Sequence, residues 1–346
     1  MVSTMISRFT RFFPAMALLL VGALSGANGA AETGEMSGTL LVGNKAEDSL
    51  SFIDLQSGKE TARQATGDQP HEIAISPDGR LAAVVSYGGQ TVDIFDIAAQ
   101  NRSETVSLFP ERRPHGILWL DDGRIIATTE GSDSITIVSP PSGAAQQRKI
   151  SSIKTDQKGS HMLVVTPDKS RAFVTNMQSG TVSVLDLAKM RKITDLQAGT
   201  EPEGIAITPD GATVWVADRA GDQLHVFDAE SLKPLKQIET GKFPIRVAIS
   251  PDGKTAITSN FGDGALGLFD VAKRSAKGTI EISGTADSRQ VTILFSPDGK
   301  NLFVAETGPD TIAQVDLAAG KVVRRFKVGK DGDGLGIVLT GKAEQD

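Results

Sequence analysis

The chain has 346 residues, of which 39% are hydrophobic but only 5% aromatic, and it carries a formal charge of −6. With no run of clustered Lys and Arg, that balance excludes a nucleic-acid surface, because phosphate neutralisation needs a basic patch. There is no cysteine, which excludes disulfides, a lipoprotein anchor and a haem attached through the usual paired-cysteine motif.

In chain order, Arg8 and Arg11 precede an apolar run from Phe12 to Leu24, and Gly29 and Ala31 supply the small residues of a cleavage site. The run is shorter than the ~20 residues a spanning helix needs, so the pattern predicts a secretory signal peptide over 1–31. Its removal takes away two positive charges and no negative ones. The expected mature protein, 32–346, is a more acidic single domain with no membrane span, placed in the periplasm or outside the cell.

From Pro70 the chain reads P-H-E-I-A-I-S-P-D-G, and versions of this unit return at Pro114, Ser160, Pro202 and Pro244. Weaker copies start at Gln290 and Gly334. The spacing is roughly 42 to 46 residues, the period of a four-stranded propeller blade. Each repeat predicts an opening strand such as Glu72 to Ile75, a tight Ser-Pro-Asp-Gly turn, and a second strand such as Ala82 to Tyr87. A third follows, such as Thr91 to Phe95, and then a variable fourth, such as Leu235 to Glu239. Opening strands and second strands each number seven. The series starts on a second strand, Thr39 to Val42, and ends on an opening strand, Leu335 to Leu339. The expected fold is therefore all-β, a seven-bladed propeller in which the C-terminal strand completes the N-terminal blade. Asp331 to Gly334 reads as the turn before that closing strand.

Phe173-Val174-Thr175-Asn176 and Val214-Trp215-Val216-Ala217-Asp218, between Pro-Asp-Gly and Val-Asp-Leu turns, resemble the signature of YVTN-type seven-bladed propellers. The resemblance covers nearly all of the mature chain. It implies the fold but no single activity, since related propellers include secreted proteins of unknown role, lactonases, streptogramin lyases and subunits of periplasmic dehydrogenases.

Within the repeat, the second position of the opening strand holds His71, His115, His161 and then Glu203. The ends of the second strands, Asn44, Tyr87, Glu130, Asn176, Asp218, Asn260 and Glu306, together with Gln290, are expected to join them in two polar rings at one channel mouth. His71, His115, His161 and Glu203 match the donor set of one divalent transition metal such as Zn or Cu better than that of Ca. His161, His115 and Glu203 are the candidate catalytic groups. Tyr87, Arg113, Glu130, Asn176, Asp218, Arg246, Asn260 and Glu306 are the candidate ligand contacts, with Arg113 and Arg246 suited to clamping a carboxylate. The same column could instead start each strand by bonding to neighbouring loops, because Ile245, Val291 and Leu335 dispense with histidine. His225 reads as a partly exposed strand residue.

Three functions are open on these residues. The first is a non-enzymatic, monomeric platform whose mouth binds a small molecule, a metal ion or a periplasmic protein. The second is a metal-assisted lactonase or lyase, and the third an accessory subunit of a periplasmic oxidoreductase.

Overall fold

The computed structural model describes residues 36–143 and 147–340. The leader expected over 1–31 lies outside them. The described strands form seven four-stranded antiparallel sheets, arranged as the blades of a propeller. Blades are numbered here in chain order from the N-terminus. Second strands such as Leu81–Ser86 and Thr213–Asp218 are buried nearly throughout, whereas the outer strand Glu60–Ala65 is exposed or half-buried along its length. Apolar side chains of adjacent blades meet between the sheets, as where Val85 and Ile94 of blade 2 pack with Ile117 and Ile125 of blade 3. Burial between layers rather than within one sheet is what makes the isolated blade unstable and the ring stable.

The repeated turn has a physical cause. Ser76 donates to the Asp78 carboxylate at 2.6 Å, Gly79 N–H donates to Ser76 O at 2.8 Å, and Gly79 takes a φ of 70°. Thr208 with Asp210, Ser250 with Asp252, and Ser296 with Asp298 repeat the first bond at 2.6 Å. These turns line the face opposite the candidate mouth.

Closure follows the expected route, since the last strand pairs antiparallel with Gly38–Asn44 as the innermost strand of blade 1. It begins earlier than expected. The strand spans Gly332–Leu339, so Asp333 and Gly334 belong to it and not to a preceding turn. Glycine is required at 334 because a Cβ there would stand 1.7 Å from the His71 carbonyl oxygen of blade 2. Position two of the closing strand is consequently Asp333 rather than Leu335.

Each of the seven innermost strands carries an irregularity near its start. In Pro70–Ile75, Pro70 pairs with Ser86 and Ile73 with Val84, so three steps on one strand oppose two on the other. The other six shift register at the same place. Such a bulge frees the residues inside it from the ladder and re-aims their side chains.

Candidate functional site

The bulges place the polar residues at positions two and three of the innermost strands at the channel mouth. Position two reads Asp333, His71, His115, His161, Glu203, Ile245, Val291 from blade 1 to blade 7; position three contributes Glu72, Arg246 and Thr292 as its polar members. The residue after each second strand joins them. Tyr87 N–H donates to Gln69 O at 3.0 Å, Glu130 N–H to Arg113 O at 3.0 Å, Arg219 N–H to Glu201 O at 3.1 Å and Phe261 N–H to Phe243 O at 3.0 Å. The same bond recurs in the other three blades from Lys45, Met177 and Thr307.

One chain of contacts crosses this mouth. Arg113 Nη2 donates to the Tyr87 hydroxyl, and its guanidinium lies over the Tyr87 ring, 4.5 Å from the centroid. Tyr87 donates to Glu130 Oε1 at 3.0 Å, and His161 Nδ1 donates to Glu130 Oε2 at 2.8 Å. His161 Nε2 stands 3.6 Å from Glu203 Oε1. Glu203 also accepts from Arg219 at 2.6 Å and from Arg246 at 2.7 Å. Arg246 then reaches across the ring from blade 6 to Glu72 of blade 2 at 2.8 Å. A separate pair, Lys45 with Asp333 at 2.9 Å, stands beside it, and Thr292 donates to Asp333 at 2.8 Å.

The histidines differ in protonation because their neighbours differ. Burial holds the His115 imidazole well below the ordinary value, and the nearby His161 and His71 add to this. Its Nδ1 is buried with no hydrogen-bond partner. Burial also lowers His71, to about 4, against the pull of Asp333. At His161 burial is outweighed by hydrogen bonds to Glu130 and Glu203, so its value is raised. Burial would raise the Glu203 carboxyl, but His161, Arg246 and Arg219 together depress it to about 2. Burial and the adjacent Glu130 push Tyr87 up to about 12, so the phenol keeps its proton. Burial pushes the Glu72 carboxyl up against the pull of Arg246, with Asp333 adding to the rise.

The imidazoles are packed in sequence with their planes tilted, at 59° for His71 and His115 and 32° for His115 and His161. Ring centroids are 4.8 Å apart for His71 and His115 and 3.7 Å for His115 and His161, while the Tyr87 ring lies 4.6 Å from that of His71. His71 Nδ1 is 2.9 Å from the Gln69 carbonyl oxygen. A carbonyl only accepts, so Nδ1 carries the proton and Nε2 carries the lone pair.

Of the residues singled out in the sequence, His71, His115, His161, Glu203, Tyr87, Arg113, Glu130 and Arg246 come together here. The remaining six do not: Asn44 is buried, donating to Ser49 and Ser51, and Gln290 is buried, donating to Ala265 O. Asn176 is fully buried, donating to Thr181 and Ser183 and accepting from Ser160. Asp218 accepts the backbone N–H groups of Thr200 and Glu201, Asn260 accepts from Thr258, and Glu306 pairs with Arg325 at 2.8 Å. His225 is buried rather than partly exposed, 3.9 Å from Asp218. Among the described residues no three His, Asp or Glu side chains are grouped as ligands of one ion. His71, His115, His161 and Glu203 share one arc, but both nitrogens of His161 already face carboxylates. Sequence reasoning missed Glu72, Lys45, Arg219 and Asp333, each one residue along the chain from a residue or position it had marked.

Residues 38–283, more than half of the chain, match the model of the family described as lactonase, 7-bladed β-propeller. The chain belongs to this family. No curated protein matches it. Among solved structures, Kuenenia stuttgartiensis hydrazine synthase is similar at 18% identity over 81% of this chain and 94% of that one, with a TM-score of 0.70. A functionally unknown protein from Desulfotomaculum acetoxidans is similar at 15% identity over 88% and 100%, with a TM-score of 0.72. Dihydro-heme d1 dehydrogenase NirN is similar at 15% identity over 86% and 75%, with a TM-score of 0.63. At these identities the likeness is one of fold.

Proposed function

We propose that the mouth of this lactonase-family propeller hydrolyses a small lactone, and that His71 is the general base. The observation that carries this reading is the anchored tautomer of His71: Nδ1–H held by Gln69 O, and Nε2 without a hydrogen-bond partner among the described residues on a half-buried ring. A neutral imidazole oriented through one nitrogen, with the other free, is the arrangement general-base catalysis uses.

In the proposed reaction Nε2 takes a proton from water as its oxygen bonds to the lactone carbonyl carbon. The negative charge that develops on the carbonyl oxygen is met by the guanidinium of Arg113, which the Tyr87 hydroxyl and Glu130 hold in place. Fixed donors of this kind cost no reorganisation when charge appears. As the acyl–oxygen bond breaks, the proton on Nε2 passes to the departing ring oxygen, giving the hydroxy acid and restoring neutral His71. The lactone is uncharged, and the site suits that: Arg113, Arg219, Arg246, Lys45 and the raised His161 are set against Glu72, Glu130, Glu203 and Asp333, so no strong excess of either sign awaits a charged substrate. No step passes through a metal ion. The leader pattern of 1–31 supports action of the mature chain, 32–346, in the periplasm or outside the cell.

Turnover of five- and six-membered lactones, followed by acid release, tests the reading. His71→Gln should lower kcat about 100- to 10,000-fold with an unchanged melting curve. A panel of lactones left unopened by the wild-type protein would sink it. The alternative is a binding platform without chemistry, favoured by one observation: Arg246, Glu72, Glu203 and His161 are tied to one another across the ring.

A further inference from the structure

We infer that the substrate carries an apolar substituent, seated on the aromatic pair of blade 6 while its lactone ring lies against the histidines. The inference rests on the hydrolytic reading above and names the substrate class within it. Around the mouth, blades 2 to 4 carry His71, His115 and His161 at position two, whereas blade 6 carries the buried Ile245 there and Val291 of blade 7 packs against the core between blades 7 and 1. At blade 6 stand Phe243 and Phe261, both half-buried, with ring centroids 5.8 Å apart and planes at 61°.

The placement of these rings belongs to the site and not to the blade cores. Phe261 occupies the position that holds Tyr87 in blade 2 and Glu130 in blade 3, as its backbone bond to Phe243 O shows. Phe243 occupies the position of Gln69 and Arg113, and like them has positive φ, at 55°. The fold therefore dictates the backbone there but not the side chain, and an aromatic ring is no requirement of the turn. Arg219 links the two halves: its guanidinium lies 5.1 Å from the Phe243 centroid while Nη1 donates to Glu203, which in turn faces His161. A ligand with only polar atoms would leave this aromatic wall in contact with water. One with an alkyl or aryl arm would cover it, and each methylene buried would tighten binding about fourfold.

Non-hydrolysable lactams separate this inference from the chemistry. Binding of 2-pyrrolidinone and of 5-hexyl-2-pyrrolidinone to the mature protein is measured by NMR titration, alongside turnover of the matching lactones. The hexyl compound should bind roughly 15-fold more tightly, the gain from two buried methylenes. In the Phe243→Asn, Phe261→Ser double variant that preference should fall below about threefold while the affinity for 2-pyrrolidinone stays the same. Asn is chosen at 243 because it tolerates the left-handed backbone. If the double variant does not fold, Phe261→Ser alone should reduce the preference about two- to fourfold. Equal binding of the two lactams, binding of neither, or a preference that survives the variants would overturn the inference. Loss of lactone turnover with the preference intact would instead strike the hydrolytic reading alone.

Discussion

The last residue of each second strand and the residue after it differ by one step in the chain and by everything in their surroundings. Asn44, Asn176 and Glu306 turn into the blade, where Asn44 donates to Ser49 and Ser51 at 3.0 and 2.8 Å and accepts from Gly329 of the neighbouring blade at 3.0 Å. Lys45, Tyr87, Glu130 and Arg219 turn to the mouth, where Tyr87 and Glu130 bond with groups of the next blade and Lys45 and Arg219 pair with Asp333 and Glu203 on the innermost strands of their own blades. Side chains alternate along a strand, so a single step moves a polar group from holding the ring together to working in its site. Both columns are polar and both recur with the repeat, which is why polarity and period alone do not tell them apart.

Removing Gly332–Leu339 should have the largest effect on the first column's function, ring closure. Blade 1 would lose its innermost strand, and a cooperative melt by circular dichroism should be replaced by a broad, low-temperature transition. Arg246→Met comes next. It leaves Glu203 and Glu72 buried without their shared cation, and chemical denaturation should show a loss of about 3–5 kcal/mol. The two columns themselves are separated by a pair of variants. Asn176→Ala should cost about 1–3 kcal/mol of stability through loss of its buried bonds to Ser160, Thr181 and Ser183 while leaving lactone turnover unchanged. Glu130→Gln should do the reverse, with a small change in stability and a drop in turnover as Tyr87 and Arg113 lose their anchor. The smallest effect is acid sensitivity. The depressed Glu203 carboxyl contributes stability that is complete above the ordinary carboxyl value of 4.5 and is lost as pH falls toward about 2. Glu203→Gln should flatten that part of the pH–stability curve.

The ring, its blade count and its closure were legible because they rest on a period and on turn chemistry, both written into Ser76-Pro77-Asp78-Gly79 and its copies. The site was legible only in part. The bulge between Pro70 and Ile73 leaves no mark in the sequence, yet it brings Glu72 to the mouth alongside His71. Asp331-Gly332-Asp333-Gly334 looks like a turn by composition, but Gly334 is glycine because His71 O approaches it. That close approach depends on a residue of another blade, and local pattern carries no trace of it. Arg219 was hidden for a similar reason, since its partner Glu203 is adjacent in space only after strand ends are known to one residue.

The central claim is that a neutral His71 acts as the base, and the pH dependence of kcat/KM for lactone opening tests it most directly. His71 must be unprotonated to act, so the rate should be level above about pH 5 and fall as pH drops through about 4. The profile should vanish with the activity in His71→Gln. Activity that persists in that variant with the same break near pH 4 would contradict the account.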